Sequence, residues 1–262
     1  LVSFVVNQSV ASEKSFSKSY YGSILSGQIA NYNNDATLSA DFFNYANGIN
    51  PKNNNVYNLA LMSLVMSGRV KAAIEKVILY QKNYGKEFND SIIANFLIFI
   101  NKVKKNETNI ALAHLNEKKD FLITEKMKPI LKAWLSDNLD QATESIEKYE
   151  YKSEGLSLSN IYFHHLALLQ NYHNKKKLAE STFEKHLKAF DLDKIRTMFF
   201  YDSFLNKPEN YKENKFIASF LEKYSNHSFA LHLKNKNRLT YKINSPRQGI
   251  SETIYNLAQT LY

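Results

Sequence analysis

Residues 20–52, YYGSILSGQIANYNNDATLSADFFNYANGINPK, are the stretch that decides the fold. Polar residues 33–35 divide it into two runs in which apolar or small side chains recur three or four positions apart, the spacing of a helix face. Asp35 is suited to cap the second helix, because its carboxylate can accept hydrogen bonds from free backbone N–H groups, and Pro51 ends the unit. The stretch predicts two helices joined by a tight turn. The recurring residues are Tyr21, Ile24, Leu25, Gly27 and Ala30, then Leu38, Ala40, Phe42, Phe43, Ala46 and Ile49.

Gly27 lies inside the apolar face of the first helix. A glycine in a helix interior costs about 1 kcal/mol relative to alanine, so another interaction must offset that cost. We therefore expect a second helix to approach closely at Gly27.

Four of these residues stand at the spacing of the tetratricopeptide repeat: Gly27 on the first helix, Phe43 and Ala46 on the second, and Pro51 at the exit. The next unit fits the same pattern through Tyr57, Ala60, Leu64, Gly68 and Ala73. Residues 22–73 also resemble the opening of an alphaproteobacterial family of tetratricopeptide proteins with the pattern LAGxxA…D…AADFY…DPxN…A…GR. Residues 245–258, SPRQGISETIYNLA, resemble a later segment of that family. The resemblance covers residues 20–85 and 245–260, and it implies a superhelix of helix pairs that binds other proteins.

The composition favours helices joined by short polar turns. The chain has only seven glycines and four prolines, while 44% of its residues are hydrophobic and 13% aromatic. Asparagine is abundant in the predicted turns, where it can take the capping and left-handed positions that glycine often fills. We predict an all-α fold, a right-handed α-solenoid of antiparallel helix pairs over residues 18–262 that continues beyond residue 262.

Residues 1–17 are set apart from this array. LVSFVV is followed by Ser9, Val10 and Ala11, small residues in the arrangement that a signal peptidase prefers. The segment is interpreted as the remnant of a signal peptide or as a disordered N-terminus. The first interpretation predicts a periplasmic or cell-envelope protein, and the alternative is a cytoplasmic one. No run approaches the ~18 apolar residues of a membrane span, so we expect no transmembrane segment.

The last predicted helix begins at Ser245 and Pro246, which suit a cap and a first helical position. Repeat arrays need a polar outer face at each end, yet this helix carries an apolar stripe. We therefore expect the stripe to be exposed. Its members are Ile250, Ile254, Leu257 and Leu261.

The formal net charge is +9, which allows a nucleic-acid partner. However, the lysines are spread along the chain, and arginine, the better residue for bidentate contacts to phosphate, is scarce. The pattern favours solvated helix faces and weighs against nucleic acid. The arginines are Arg69, Arg196, Arg238 and Arg247.

No motif supports catalysis or a cofactor. The chain lacks cysteine, which excludes disulfides and thiolate chemistry. The adjacent His164 and His165 point about 100° apart on a helix and so do not share one metal ion, and no glycine-rich nucleotide loop occurs. Trp134, the only tryptophan, is predicted to be a core wedge between helices. We expect no enzyme, no metal site and no cofactor.

Stacked helix pairs curve, and their first helices line a concave surface that suits an extended peptide or a partner's helix. The leading hypothesis is a non-catalytic scaffold that holds a protein or peptide partner on this surface. The alternatives are a basic solenoid that binds nucleic acid and a superhelical domain of a larger envelope enzyme. Polar side chains of first helices that escape the apolar stripe are the candidate contacts: Ser23, Gln28, Asn58, Ser63, Asn95, Asn160, His164 and Asn171.

Overall fold

The computed structural model describes residues 19–85, 91–118, 127–150, 156–189, 195–204, 214–234 and 242–260. Within these ranges every regular element is a helix, which confirms the all-α prediction for this part of the chain. The chain divides into two compact units, Leu1–Ile98 and Phe99–Tyr262. The interpretation of residues 1–17 lies outside the described residues.

Unit 1 is built from consecutive helices that pack on their neighbours in the chain, α1 on α2, α2 on α3 and α3 on α4. Asp35 caps α2 as the sequence predicts, accepting a hydrogen bond from the backbone N–H of Leu38 at 2.9 Å. Asn53 caps α3 in the same way through the N–H groups of Asn55 and Val56. The helices are α1 Tyr20–Tyr32, α2 Ala36–Ile49, α3 Asn54–Met66, α4 Val70–Tyr84 and the start of α5 Ile92–Lys104.

Unit 2 continues with shorter helices and ends on a helix that returns. Helices α7 and α8, α8 and α9, and α9 and α10 pack in chain order, whereas α14 packs on α7 and α9. The helices are α6 Thr108–Glu117, α7 Lys128–Leu135, α8 Leu139–Glu150, α9 Leu156–Tyr172, α10 Lys176–Ala189, α11 Ile195–Phe204, α12 Lys215–Lys223, α13 Ser228–Lys234 and α14 Pro246–Thr260.

The same turn closes four helix pairs, α1–α2, α3–α4, α5–α6 and α9–α10. Its central residue has a positive φ and is Asn34, Gly68, Asn106 or Asn174. The next backbone N–H donates to a carbonyl five residues earlier at 2.8–3.0 Å, which satisfies a carbonyl left free at the helix end. Asn34 and Gly68 stand 34 residues apart, as one repeat requires. The recurrence is compatible with a helical repeat, and it confirms that asparagine takes the left-handed positions.

The core of unit 1 joins α2, α3, α4 and α5. Tyr57 of α3 stacks on Tyr80 of α4 with ring centroids 4.4 Å apart. The Tyr80 hydroxyl donates to the side-chain oxygen of the buried Asn47 in α2 at 2.6 Å. Arg69 lies in the turn before α4 and binds Asp41 of α2 at 2.7 Å. These contacts hold successive helices in a fixed register.

The close approach expected at Gly27 is confirmed. Gly27 is buried, and a Cβ placed on it would lie 2.9 Å from Cε1 of Phe43 on α2. Only a residue without a side chain lets the Phe43 ring reach the α1 backbone. The packing of α1 on α2 therefore offsets the helix-propensity cost of this glycine.

Gly27→Leu is expected to lower the free energy of unfolding by about 1–3 kcal/mol, because the new side chain overpacks the Phe43 ring. Urea unfolding followed by circular dichroism measures the change. Gly48→Leu is the matched control, since Gly48 lies exposed on α2 and nothing approaches its Cβ position within 4 Å. A Gly27→Leu chain as stable as the Gly48→Leu chain would contradict the register.

The exposed stripe expected on the last helix is wrong at Ile250. Gln248 N–H donates to the Ser245 hydroxyl at 3.3 Å, so the helix starts as predicted. However, α14 folds back on α7 and α9, and Ile250 is buried while Ile254 is half-buried. The side chains of Leu257 and Leu261 lie outside the described part of the chain. The apolar stripe finds its cover within the same unit.

Candidate interaction surfaces

A stripe of large apolar side chains lies exposed along α1. Tyr21, Leu25, Ile29 and Tyr32 follow one another at intervals of four, four and three residues, and Leu25 is 58% exposed. The sequence pattern placed Tyr21 and Leu25 on the buried face, and that interpretation is wrong. The buried residues of α1 are the small Ser23, Gly27 and Ala30, because only small residues fit where α2 approaches so closely.

Helix α3 carries a similar stripe, formed by Leu59, Met62 and Met66. A shift of 34 residues places these on Leu25, Gln28 and Tyr32 of α1. Equivalent positions of the two helices are thus exposed, as expected for first helices of successive pairs. We call these six positions together with Tyr21 and Ile29 the first-helix face.

The first-helix face lies on helices that contain no ionisable charge. Neither YYGSILSGQIANY of α1 nor NNVYNLALMSLVM of α3 includes Lys, Arg, Asp or Glu. Solvated helices normally carry charges on the side away from the core. An uncharged helix with large exposed apolar side chains is typical of a surface that binds an apolar partner.

Most of the polar candidates from the sequence lie in the core. The expectation that they escape the apolar stripe is wrong for Ser23, Ser63, Asn95, His164 and Asn171, all of which are buried. The serine hydroxyls find partners inside the fold. Ser23 donates to the Ser19 carbonyl oxygen at 2.9 Å, and Ser63 pairs with Ser39 at 3.1 Å. A satisfied hydroxyl can be buried at little cost, which the apolar pattern alone does not reveal.

The remaining three candidates differ in position. Gln28 is exposed within the first-helix face. Asn58 is half-buried, and its side-chain oxygen accepts a hydrogen bond from the Ser91 hydroxyl ahead of α5. Asn160 lies in α9, but its side chain is outside the described part of the chain. Sequence reasoning missed the apolar members of the face, although the lack of charge on α1 and α3 is a signal that could have found them.

In unit 2, buried polar groups hold α7, α9 and α14 together. Trp134 of α7 is buried, as predicted, and its indole N–H donates to Nδ1 of His165 on α9 at 3.0 Å. The Asn256 carboxamide of α14 lies 3.2 Å from Nε2 of the same ring. Since Nδ1 accepts the indole proton, the neutral ring carries its hydrogen on Nε2, and the carboxamide oxygen is suited to accept it. One imidazole therefore links three helices.

Burial lowers the pKa of His165 well below 6.5, and the neighbouring His164 lowers it further, while Glu252 acts in the opposite direction. Protonation would also place a hydrogen on Nδ1, facing the indole donor. The folded unit therefore keeps the ring neutral.

Acidification is expected to destabilise unit 2. Below pH 6.5 the unfolded chain binds a proton at His165 and the folded chain does not, so stability falls by up to about 1.4 kcal/mol per pH unit until the lowered pKa is reached. Fluorescence of Trp134 during urea unfolding at pH 7.5, 6.5 and 5.5 measures this loss. The His165→Asn chain should show a shallower dependence, and equal slopes for the two chains would contradict the assignment.

Among the described residues, no group of His, Cys, Asp or Glu side chains is placed to hold a metal ion. No helix in the same ranges is long and apolar enough to cross a membrane.

A comparison of the chain with protein-family models finds no match, and a comparison with curated proteins finds none either. The tetratricopeptide resemblance therefore stays a prediction that rests on the quoted motif residues.

Proposed function

We propose that this chain is a non-catalytic helical-repeat scaffold of the tetratricopeptide type, which holds a partner protein on the first-helix face. The observation that carries the proposal is the exposure of large apolar side chains at equivalent positions of α1 and α3, on helices without charge. In a right-handed solenoid, first helices line the concave side, where an extended partner meets several repeats at once.

The chemistry of the face defines the partner. Leu25 and Leu59 offer branched aliphatic contacts, Met62 and Met66 adapt their shape to the ligand, and Gln28 can fix the register of a bound backbone by hydrogen bonding. With no charge to neutralise, the best ligand is a neutral helix or extended segment that presents large apolar anchors. Binding removes apolar area from water, at about 25 cal/mol per Å².

The same absence of charge argues against nucleic acid on this face. Phosphate binding requires several Lys or Arg side chains, and affinity then falls steeply with added salt. Helices α1 and α3 supply none. The excess of basic residues lies elsewhere in the chain.

Leu25→Glu is expected to weaken partner binding at least tenfold, because it places a charge in the centre of the apolar face. A peptide selected from a display library for binding to the full chain serves as the probe, and its affinity is measured by fluorescence anisotropy. Leu79→Glu is the matched control, since Leu79 is similarly exposed (54% against 58%) but lies on the second helix α4. Equal losses from both variants would contradict the proposal.

A further inference from the structure

Helix α14 occupies a position in unit 2 that a helical array offers to a ligand. It lies on α7 and α9, which are the first helices of the successive pairs α7–α8 and α9–α10. Three residues on one side of α14 meet the two helices: Gly249, Glu252 and Asn256, spaced three and four residues apart. This spacing is that of a helix lying lengthwise in a groove.

Glycine is required where α14 meets α7. A Cβ placed on Gly249 would lie 2.1 Å from Cδ2 and 2.3 Å from Cε3 of Trp134, whose ring is buried. A ring held in the core cannot move aside for a side chain. The seat, defined here as Trp134, His164 and His165, therefore selects a helix with glycine at this point.

The contacts between α14 and α9 are polar. Glu252 is buried, and its Oε1 lies 3.6 Å from Nε2 of His164, too far for a hydrogen bond. Neither ring nitrogen of the buried His164 makes a hydrogen bond. Buried polar groups that are only partly satisfied make a poor permanent core. They do give specificity, because a helix without the matching carboxylate and carboxamide leaves the seat still less satisfied.

We propose that the seat on α7 and α9 binds a glycine-containing amphipathic helix, that α14 is the chain's own occupant, and that a partner helix with the pattern Gly-x-x-Glu-x-x-x-Asn displaces it. This role goes beyond the first-helix face of unit 1 and does not depend on it. In the free chain, α14 keeps the seat closed and lowers the apparent affinity for any ligand of lower local concentration.

The test uses a fluorescent peptide with the sequence of residues 243–260, INSPRQGISETIYNLAQT, as the displacing helix. In the full-length Gly249→Leu chain, the native α14 cannot settle against Trp134, so the seat is open. Fluorescence anisotropy should show peptide binding at least tenfold tighter to this chain than to wild type. Gly48→Leu is the matched control, because the new side chain projects into open space and α14 stays in place. A peptide that itself carries Gly249→Leu should fail to bind any of these chains.

Asn256→Ala opens the seat by a second route without steric conflict, because it removes the carboxamide that faces His165. It should raise peptide affinity above that of wild type. Equal affinity for all chains, or no binding to either opened chain, would overturn the proposal. Loss of folding in both variants would also overturn it, since α14 would then be an inseparable part of the core. A dimer of the wild-type chain that exchanges α14 between copies would replace the foreign helix by a second copy, and would overturn the displacement by a partner.

Discussion

Replacing Phe43 by alanine is expected to lower the free energy of unfolding by about 3–5 kcal/mol, the usual cost of emptying a buried aromatic site. The Phe43 ring is 1% exposed and fills the space that Gly27 leaves open on α1. No other described side chain can take its place against the α1 backbone. Urea unfolding monitored by circular dichroism measures the loss.

The partner substitution makes this prediction specific. Gly27→Leu alone overpacks the Phe43 ring, but in the Phe43→Ala chain the new leucine enters the cavity. The double variant should therefore be more stable than the sum of the single effects predicts, with a coupling of about 0.5–3 kcal/mol. Additive losses would show that the two side chains do not share one space, and the pairing of α1 with α2 would need another register. The Gly48→Leu control should show no coupling to Phe43→Ala.

Trp134→Ala is expected to destabilise unit 2 by about 3–5 kcal/mol, because the largest buried side chain of the chain is lost at the junction of three helices. Trp134 contacts Gly249 of α14 and donates to His165 of α9. Its removal leaves a cavity and an imidazole acceptor without its donor. Hydrogen exchange of the α9 and α14 amides should rise together, and this readout does not require the tryptophan fluorescence that the substitution removes.

Trp134→Phe separates the two causes. The smaller ring keeps part of the packing against Gly249 but cannot donate to Nδ1 of His165, which costs about 1–3 kcal/mol for an unsatisfied buried group. It should therefore fall between wild type and Trp134→Ala. If the alanine variant left α14 as protected as in wild type, Trp134 could not be the contact that holds α14 on α7.

The parts of the fold that the sequence predicts are those set by local chemistry. Asp35 caps α2 because an N-cap needs only the next three residues. Asn34, Asn106 and Asn174 take left-handed positions because the turn itself requires them. The contact of Gly27 with Phe43 spans only one helix pair, so the motif spacing was enough to predict it.

The parts that the sequence did not predict depend on distant residues. The cover of Ile250 by α7 and α9 joins segments more than a hundred residues apart along the chain, and no periodicity records that return. The burial of Ser23 and Ser63 depends on partners at Ser19 and Ser39. The candidate surface was misplaced for the same reason. Helical periodicity identifies an apolar side but does not tell whether small or large side chains face the neighbouring helix.

The most direct test of the central claim is photo-crosslinking in the cells that make this protein, with a photoreactive amino acid placed at Met62 of α3. Met62 lies in the first-helix face. The account predicts one discrete protein adduct from position 62, and its loss when Leu25→Glu is present in the same chain. Placement at Leu79 on α4 should give no adduct. Adducts of equal yield from positions 62 and 79, or an adduct from position 79 alone, would contradict the claim that the first helices hold the partner.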